Sequence, residues 1–129
     1  MNNAKFDALP AADFVAMMQD PLFLGDQNID SQHLLGIAKW ERVSDAEIVS
    51  QHQCRAAHVR RHEGQRTAAA KGHVHALVTM IYRKVEGEWK WAGIKTKLRW
   101  HEHDFENVFR GSAGKFQDQV AEGKESITA

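Results

Sequence analysis

Three pairs of turn-forming residues, Ser44-Asp45, Glu63-Gly64 and Glu86-Gly87, divide most of this chain into four long extended stretches. Connections that short can only join antiparallel neighbours, because a parallel pair needs a crossover of about a dozen residues or more. The stretches 32–43, 47–61, 65–85 and 88–100 therefore predict a meander. They exceed the roughly 3–10 residues usual for strands, and strands of that length need twist and bulges. The expected fold is α+β: a cone-shaped, strongly curved antiparallel sheet of four long strands wrapped around a short N-terminal helix. That helix is read from Leu9 to Met18, with Pro10 in its first turn and Phe14, Met17 and Met18 on one face. A single helical turn is expected at 104–109, where Phe105 and Phe109 stand four apart. The segment 65–71 contains Ala68-Ala69-Ala70 and is helical by propensity. It is assigned to strand because β-branched and aromatic residues continue it to Tyr82.

A chain of 129 residues is enough for one core, and the sequence reads as a single domain, 1–129, with its core in 8–110 and a polar tail in 111–129. Lys plus Arg equals Asp plus Glu at 17 each. A nucleic-acid partner would call for a basic surplus gathered on one face, so none is expected. Cys54 is the lone cysteine, the start of the chain lacks the apolar run of a secretory signal, and no stretch is long enough to span a membrane. The sequence thus predicts a cytoplasmic protein with no membrane partner.

Alternation along a strand sends every second side chain to one face. His52, Cys54, Ala56 and His58 share one parity on the second stretch. On the third, Gly72, Val74, Ala76, Val78 and Met80 oppose His73, His75, Leu77, Thr79 and Ile81; on the fourth, Ala92, Ile94, Thr96 and Leu98 oppose Trp89, Trp91, Lys95 and Lys97. Neither face is polar throughout, which predicts a sheet packed on both sides, one around a pocket and one against a neighbouring subunit. His73-x-His75 has the spacing of a metal pair but no carboxylate or cysteine at a matching offset, and His101-Glu102-His103-Asp104 reads as a solvated turn. The two motifs can combine, but nothing in the spacing forces it, and no metal is expected. Cys54 has no base within reach along its strand and reads as an inert buried thiol. His33 and His58 carry the side chain whose ordinary pKa, about 6.5, lies nearest neutrality. Taken alone, they fit hydrogen-bonded core positions better than catalysis.

Several blocks change that balance. Ala12-Asp13-Phe14-Val15-Ala16-Met17, Leu24-Gly25-Asp26, Gln32-His33, Lys39-Trp40-Glu41-Arg42-Val43-Ser44 and His52-Gln53 are followed by Lys71-Gly72-His73-Val74-His75, Gly87-Glu88-Trp89-Lys90, Ala92-Gly93-Ile94-Lys95, Leu98-Arg99-Trp100 and Asp104-Phe105. In order and spacing, from Leu9 to about Gln119, the sequence resembles the fungal scytalone dehydratases of aromatic polyketide pathways. The resemblance implies the cone-shaped fold of the nuclear-transport-factor-2-like type, assembly as trimers around the outer sheet face, and a cofactor-free lyase. It places His33 and His58 on the family's two catalytic histidines. Met17, Phe23, Ala56, Leu98, Phe105 and Phe109 match its pocket wall, the last two on a tail that closes over the substrate. A pocket serine and a substrate-binding asparagine are replaced by Ala76 and Val78. Two tyrosines and an aspartate of the family's further N-terminal helices match no residue here, and this chain is expected to start after them, with a second chain or an oligomer completing the cone.

The expected activity is elimination of water from a β-hydroxy ketone, or its enolisation, on a small aromatic polyketide. His33 would serve as base and His58 as acid or water holder. Each such role contributes roughly 10²–10⁴ in rate. A cone-fold isomerase or cyclase, including pericyclic ring closure, and a noncatalytic binding or assembly module remain the alternatives.

Overall fold

The computed structural model describes residues 9–112; the polar tail assigned to 111–129 lies, from residue 113 on, outside the described residues. Helix α1 (Ala11–Met18) is followed by β1 (Ile29–Ser44), β2 (Glu47–Arg61), β3 (Ala68–Val85), β4 (Glu88–His103), the short helix α2 (Phe105–Val108) and a 3₁₀ turn, Arg110–Ser112. The strands form one antiparallel sheet in the order β1-β2-β3-β4, the meander that the short turns demand. Strands of 15 to 18 residues run about 50–60 Å at roughly 3.3 Å per residue. The third begins at Ala68, because Gln65–Thr67 remain in the loop after β2. At the last hairpin Glu86 and Gly87 both take positive φ, 51° and 84°. That is the signature of a two-residue turn whose twist matches the flanking strands.

Register shifts bend the sheet. They fall between Leu35 and Ala38, between Arg42 and Ser44, between Arg60 and Arg61, and, where β3 meets β4, between His75 and Ala76 and between Ile81 and Tyr82. Each extra residue increases local twist and also reverses the alternation beyond it. The bulge at Ala92 does this to Trp89 and Trp91, which alternation alone sets on the face opposite Ile94 and Leu98. Trp91 pairs with Tyr82 and Trp89 with Lys84, which puts both on the face that carries His58, hereafter the inner face. Phe14 of α1 meets Trp91 edge-on, ring centroids 5.4 Å apart, so α1 also lies on the inner side.

Burial is concentrated at one end of that face. Val108 is fully buried and packs with Ile29, Ala70 and Phe109; Ala56, Ala76 and Val78 continue the inner core along β2 and β3. Small residues here let α2 approach the sheet. A Cβ on Gly72 would stand 2.5 Å from the Phe105 Cα, so only glycine accommodates the helix. Arg60 ties the layers together: its Nε donates to the Val108 carbonyl at 2.6 Å and its guanidinium pairs with Asp26 at 2.9 Å. Elsewhere the sheet stays open. No residue of α1 is buried, and Leu34 and Trp40 remain 65% and 60% exposed.

Candidate active site

His58 sits in β2 opposite Gly72 of β3 and Ser31 of β1. Having no side chain, Gly72 opens the space that α2 fills with aromatic rings. Phe109 meets the His58 ring edge-on with centroids 4.9 Å apart, Phe105 lies at 5.9 Å, and Phe23 closes on Phe109 at 5.3 Å. The imidazole is left 4% exposed. Burial, followed by the neighbouring His33 and then His73, lowers its pKa from 6.5 to about 4. His58 is therefore neutral at physiological pH.

A hydrogen bond of 2.7 Å joins His58 Nδ1 and Ser31 Oγ. A hydroxyl either donates or accepts, unlike a carboxylate, so Ser31 supports both tautomers of the ring. If the Ser31 hydroxyl donates, Nε2 carries the proton and can hold a water or hydroxyl. If Nδ1–H donates, Nε2 is a free base. His33, two residues along β1 on the same face, turns its ring to 5.7 Å from that of His58 at an angle of 77°. The edge-strand position leaves His33 exposed, open to a substrate approaching along the sheet.

The two histidines thus converge, and most of the wall expected for them lies on the same inner face. Ala56 faces His33 across the β1–β2 pair, Ala76 lies between Cys54 and Leu98, and Val78 between His52 and Thr96. Phe23, Phe105 and Phe109 form the aromatic roof. Met17 is half-buried on α1, whose ring contact runs to Trp91 at the far end of the face. Leu35, Trp91 and Ile94 on this face stay more than a third exposed, so beyond the roof it is an open trough. Burial pushes the Cys54 thiol up, as suits an inert sulfur. Ser31, Arg60 and Asp26 were not singled out from sequence. The signal for the first two was the alternation itself: Ser31 shares parity with His33, and Arg60 with His58.

A different cluster forms on the outer face. His73 pairs with Glu102 across β3 and β4, and His103 folds back to bring its ring 5.2 Å from that of His73. The two histidine motifs that nothing in the spacing joined are therefore neighbours.

The described residues thus form a curved antiparallel sheet whose inner face brings the rings of His33 and His58 together. Comparison with known proteins then supplies the lineage. The family model for scytalone dehydratase matches residues 1–116. Scytalone dehydratase arp1 of Aspergillus fumigatus is 49% identical over 109 residues, covering 84% of this chain and 65% of the relative. Scytalone dehydratase PfmaJ of Pestalotiopsis fici is 46% identical over 121 residues, covering 92% and 63%. Among solved structures, a type 2 hexachlorocyclohexane dehydrochlorinase, LinA, aligns with TM-score 0.48 and 13% identity over 57% of this chain and 47% of its own. This chain belongs to the scytalone dehydratase family, and it spans just under two thirds of the length of these two curated relatives. Among the described residues no helix is long and apolar enough to cross a membrane.

Proposed function

We propose that this chain carries the histidine machinery of a dehydratase-like lyase that removes water from, or enolises, a β-hydroxy ketone on an aromatic polyketide. The observation that carries the reading is the convergence of His33 and His58, rings 5.7 Å apart on one face under the Phe105–Phe109 roof. Family membership supplies the reaction class. His33 takes the α-proton; the C–O bond to the β-hydroxyl breaks; the hydroxyl leaves as water with that proton, so no net charge is left behind. Of the two roles open to His58, water holder fits a neutral buried ring better than acid, because an imidazole that is uncharged at neutral pH has no labile second proton to give. The hydrogen bond between Ser31 Oγ and His58 Nδ1 holds the ring in place in either tautomer. A phenol-bearing substrate supplies its own donor to the enolate oxygen, which suits a wall built of Ala56, Ala76, Val78 and Leu98.

The apolar wall also supports a second reading, a cone-fold isomerase or cyclase in which the trough shapes the substrate and the histidines orient it. A mass assay for loss of one water across a panel of aromatic β-hydroxy ketones separates the two. Under the first reading His33→Ala and His58→Ala each lower turnover by about 10²-fold or more while ligand binding persists. A product of unchanged mass, or full activity in either variant, refutes it. Leu34 and Trp100 on the outer face, 65% and 42% exposed, support assembly as a homo-oligomer, with a trimer favoured by the family resemblance. A monomeric sedimentation profile at micromolar concentration refutes that assembly.

A further inference from the structure

We propose that His73, Glu102 and His103 form a binding site for a zinc-class divalent cation on the outer face of the sheet, independent of the dehydratase reading. One ligand atom from each of the three lies within 4.8 Å of the others. Ligand atoms around a tetrahedral ion with bonds near 2.1 Å sit about 3.4 Å apart. Rotation of the exposed His103 side chain is enough to close the difference.

The backbone at the third ligand is special. Strict alternation would place His103, the partner of Gly72, on the inner face. Instead His103 adopts φ 62°, one of two described non-glycine residues at positive φ, and this left-handed step turns its imidazole towards His73. Such a conformation is strained for a residue with a side chain and tends to mark functional positions. The carboxylate is prepared as well. Glu102 Oε1 accepts a hydrogen bond from Trp100 Nε1 at 3.4 Å, which holds the carboxylate in place. The second oxygen, Oε2, stands 3.5 Å from His75 Nε2, a buried nitrogen without a hydrogen-bond partner, and 3.8 Å from His73 Nδ1. His75, stacked on Trp100 at 4.3 Å, is thus a third imidazole at the edge of the site. An open depression of about 680 Å³, bounded by residues 68–71, His73, His103 and Asp104, leaves room for water ligands. Two imidazoles and a carboxylate with open positions suit Zn²⁺ and its neighbours Co²⁺ and Ni²⁺ rather than Ca²⁺ or Mg²⁺, which prefer all-oxygen shells.

One contact opposes the ion. Arg55 donates to His73 Nδ1 at 2.9 Å, occupying that lone pair and adding positive charge. Arg55 is exposed and swings away where Nδ1 is the ligating nitrogen, which gives the proposal a signature that a fortuitous surface histidine would not have.

The test is titration of the full chain with Zn²⁺ alone by calorimetry, with Co²⁺ absorption as a second readout. We expect one ion per chain, affinity weakened at least about tenfold by His73→Ala, Glu102→Gln or His103→Asn, and affinity raised by Arg55→Met. Asparagine tolerates the left-handed backbone, so His103→Asn removes the ligand without refolding the turn, and circular dichroism checks each variant. His33→Ala should leave binding unchanged. Absence of saturable binding overturns the proposal, as does binding that survives His73→Ala and His103→Asn or is lost only with His33→Ala.

Discussion

Replacing His58 by glutamine should make the folded protein less sensitive to acid, by an amount that the structure sets. The ring is held at a pKa of about 4 by burial and by His33 and His73, against 6.5 when exposed. A histidine whose folded pKa lies below its unfolded value binds its proton more readily in the unfolded chain. Stability therefore falls as pH drops through 6.5 and levels off once the folded state also protonates near 4. The slope cannot exceed about 1.36 kcal/mol per pH unit for one proton. Over that window the native state loses about 3 kcal/mol from this one residue, a large part of the roughly 5–15 kcal/mol typical of a domain. Glutamine is uncharged throughout and can still hydrogen-bond to Ser31. Urea denaturation of both proteins at pH 7, 6, 5 and 4 gives two curves whose difference should change by about 3 kcal/mol between the ends, in favour of the variant at low pH. Parallel curves would refute the claim that His58 is buried and neutral. Titration of the His58 ring protons by NMR checks the same point directly, and in a His33→Gln background the midpoint should move up, though not to 6.5, because burial remains the larger cause.

Other consequences follow from the same packing. Gly72→Val forces Phe105 away from a backbone only 2.5 Å from the new Cβ, which should cost about 1–3 kcal/mol by denaturation and raise the exposure of His58, seen as an upward shift in its NMR titration. Arg60→Met and Asp26→Asn each strand one member of a pair only 9% and 16% exposed, so each should destabilise by about 3 kcal/mol or more. The double variant should lose less than the sum, and full additivity in that cycle would show the pair to be uncoupled. Ser31→Ala should cost about 1 kcal/mol in stability and a larger share of turnover than of substrate binding, since the tautomer of His58 would lose its partner; equal losses in kcat and in affinity would contradict that role.

What the sequence could and could not reveal divides along a physical line. Strand number, antiparallel order and the second strand's limits were legible, because Ser44-Asp45 and Glu86-Gly87 leave no room for any other connection. The inner placement of Ala56, His58, Ala76 and Val78 was legible too, because no register shift interrupts β2 or its pairing with β3 between Ser50 and Arg60. Parity arguments fail beyond a bulge. Ala92 carries no side-chain signal that distinguishes an extra residue from a paired one, yet it moves Trp89 and Trp91 across the sheet. The left-handed step at His103 has the same character, since histidine rarely takes positive φ and alternation alone assigns it to the wrong face. The two sites stand differently towards the period-two pattern. His58 is reached through an unbroken strand and a glycine that makes room for a helix, whereas the outer cluster exists only because one residue leaves the strand geometry that the sequence otherwise specifies. His103→Asn, which keeps the left-handed backbone, should accordingly erase the outer cluster while leaving the His33–His58 geometry, and with it turnover, in place.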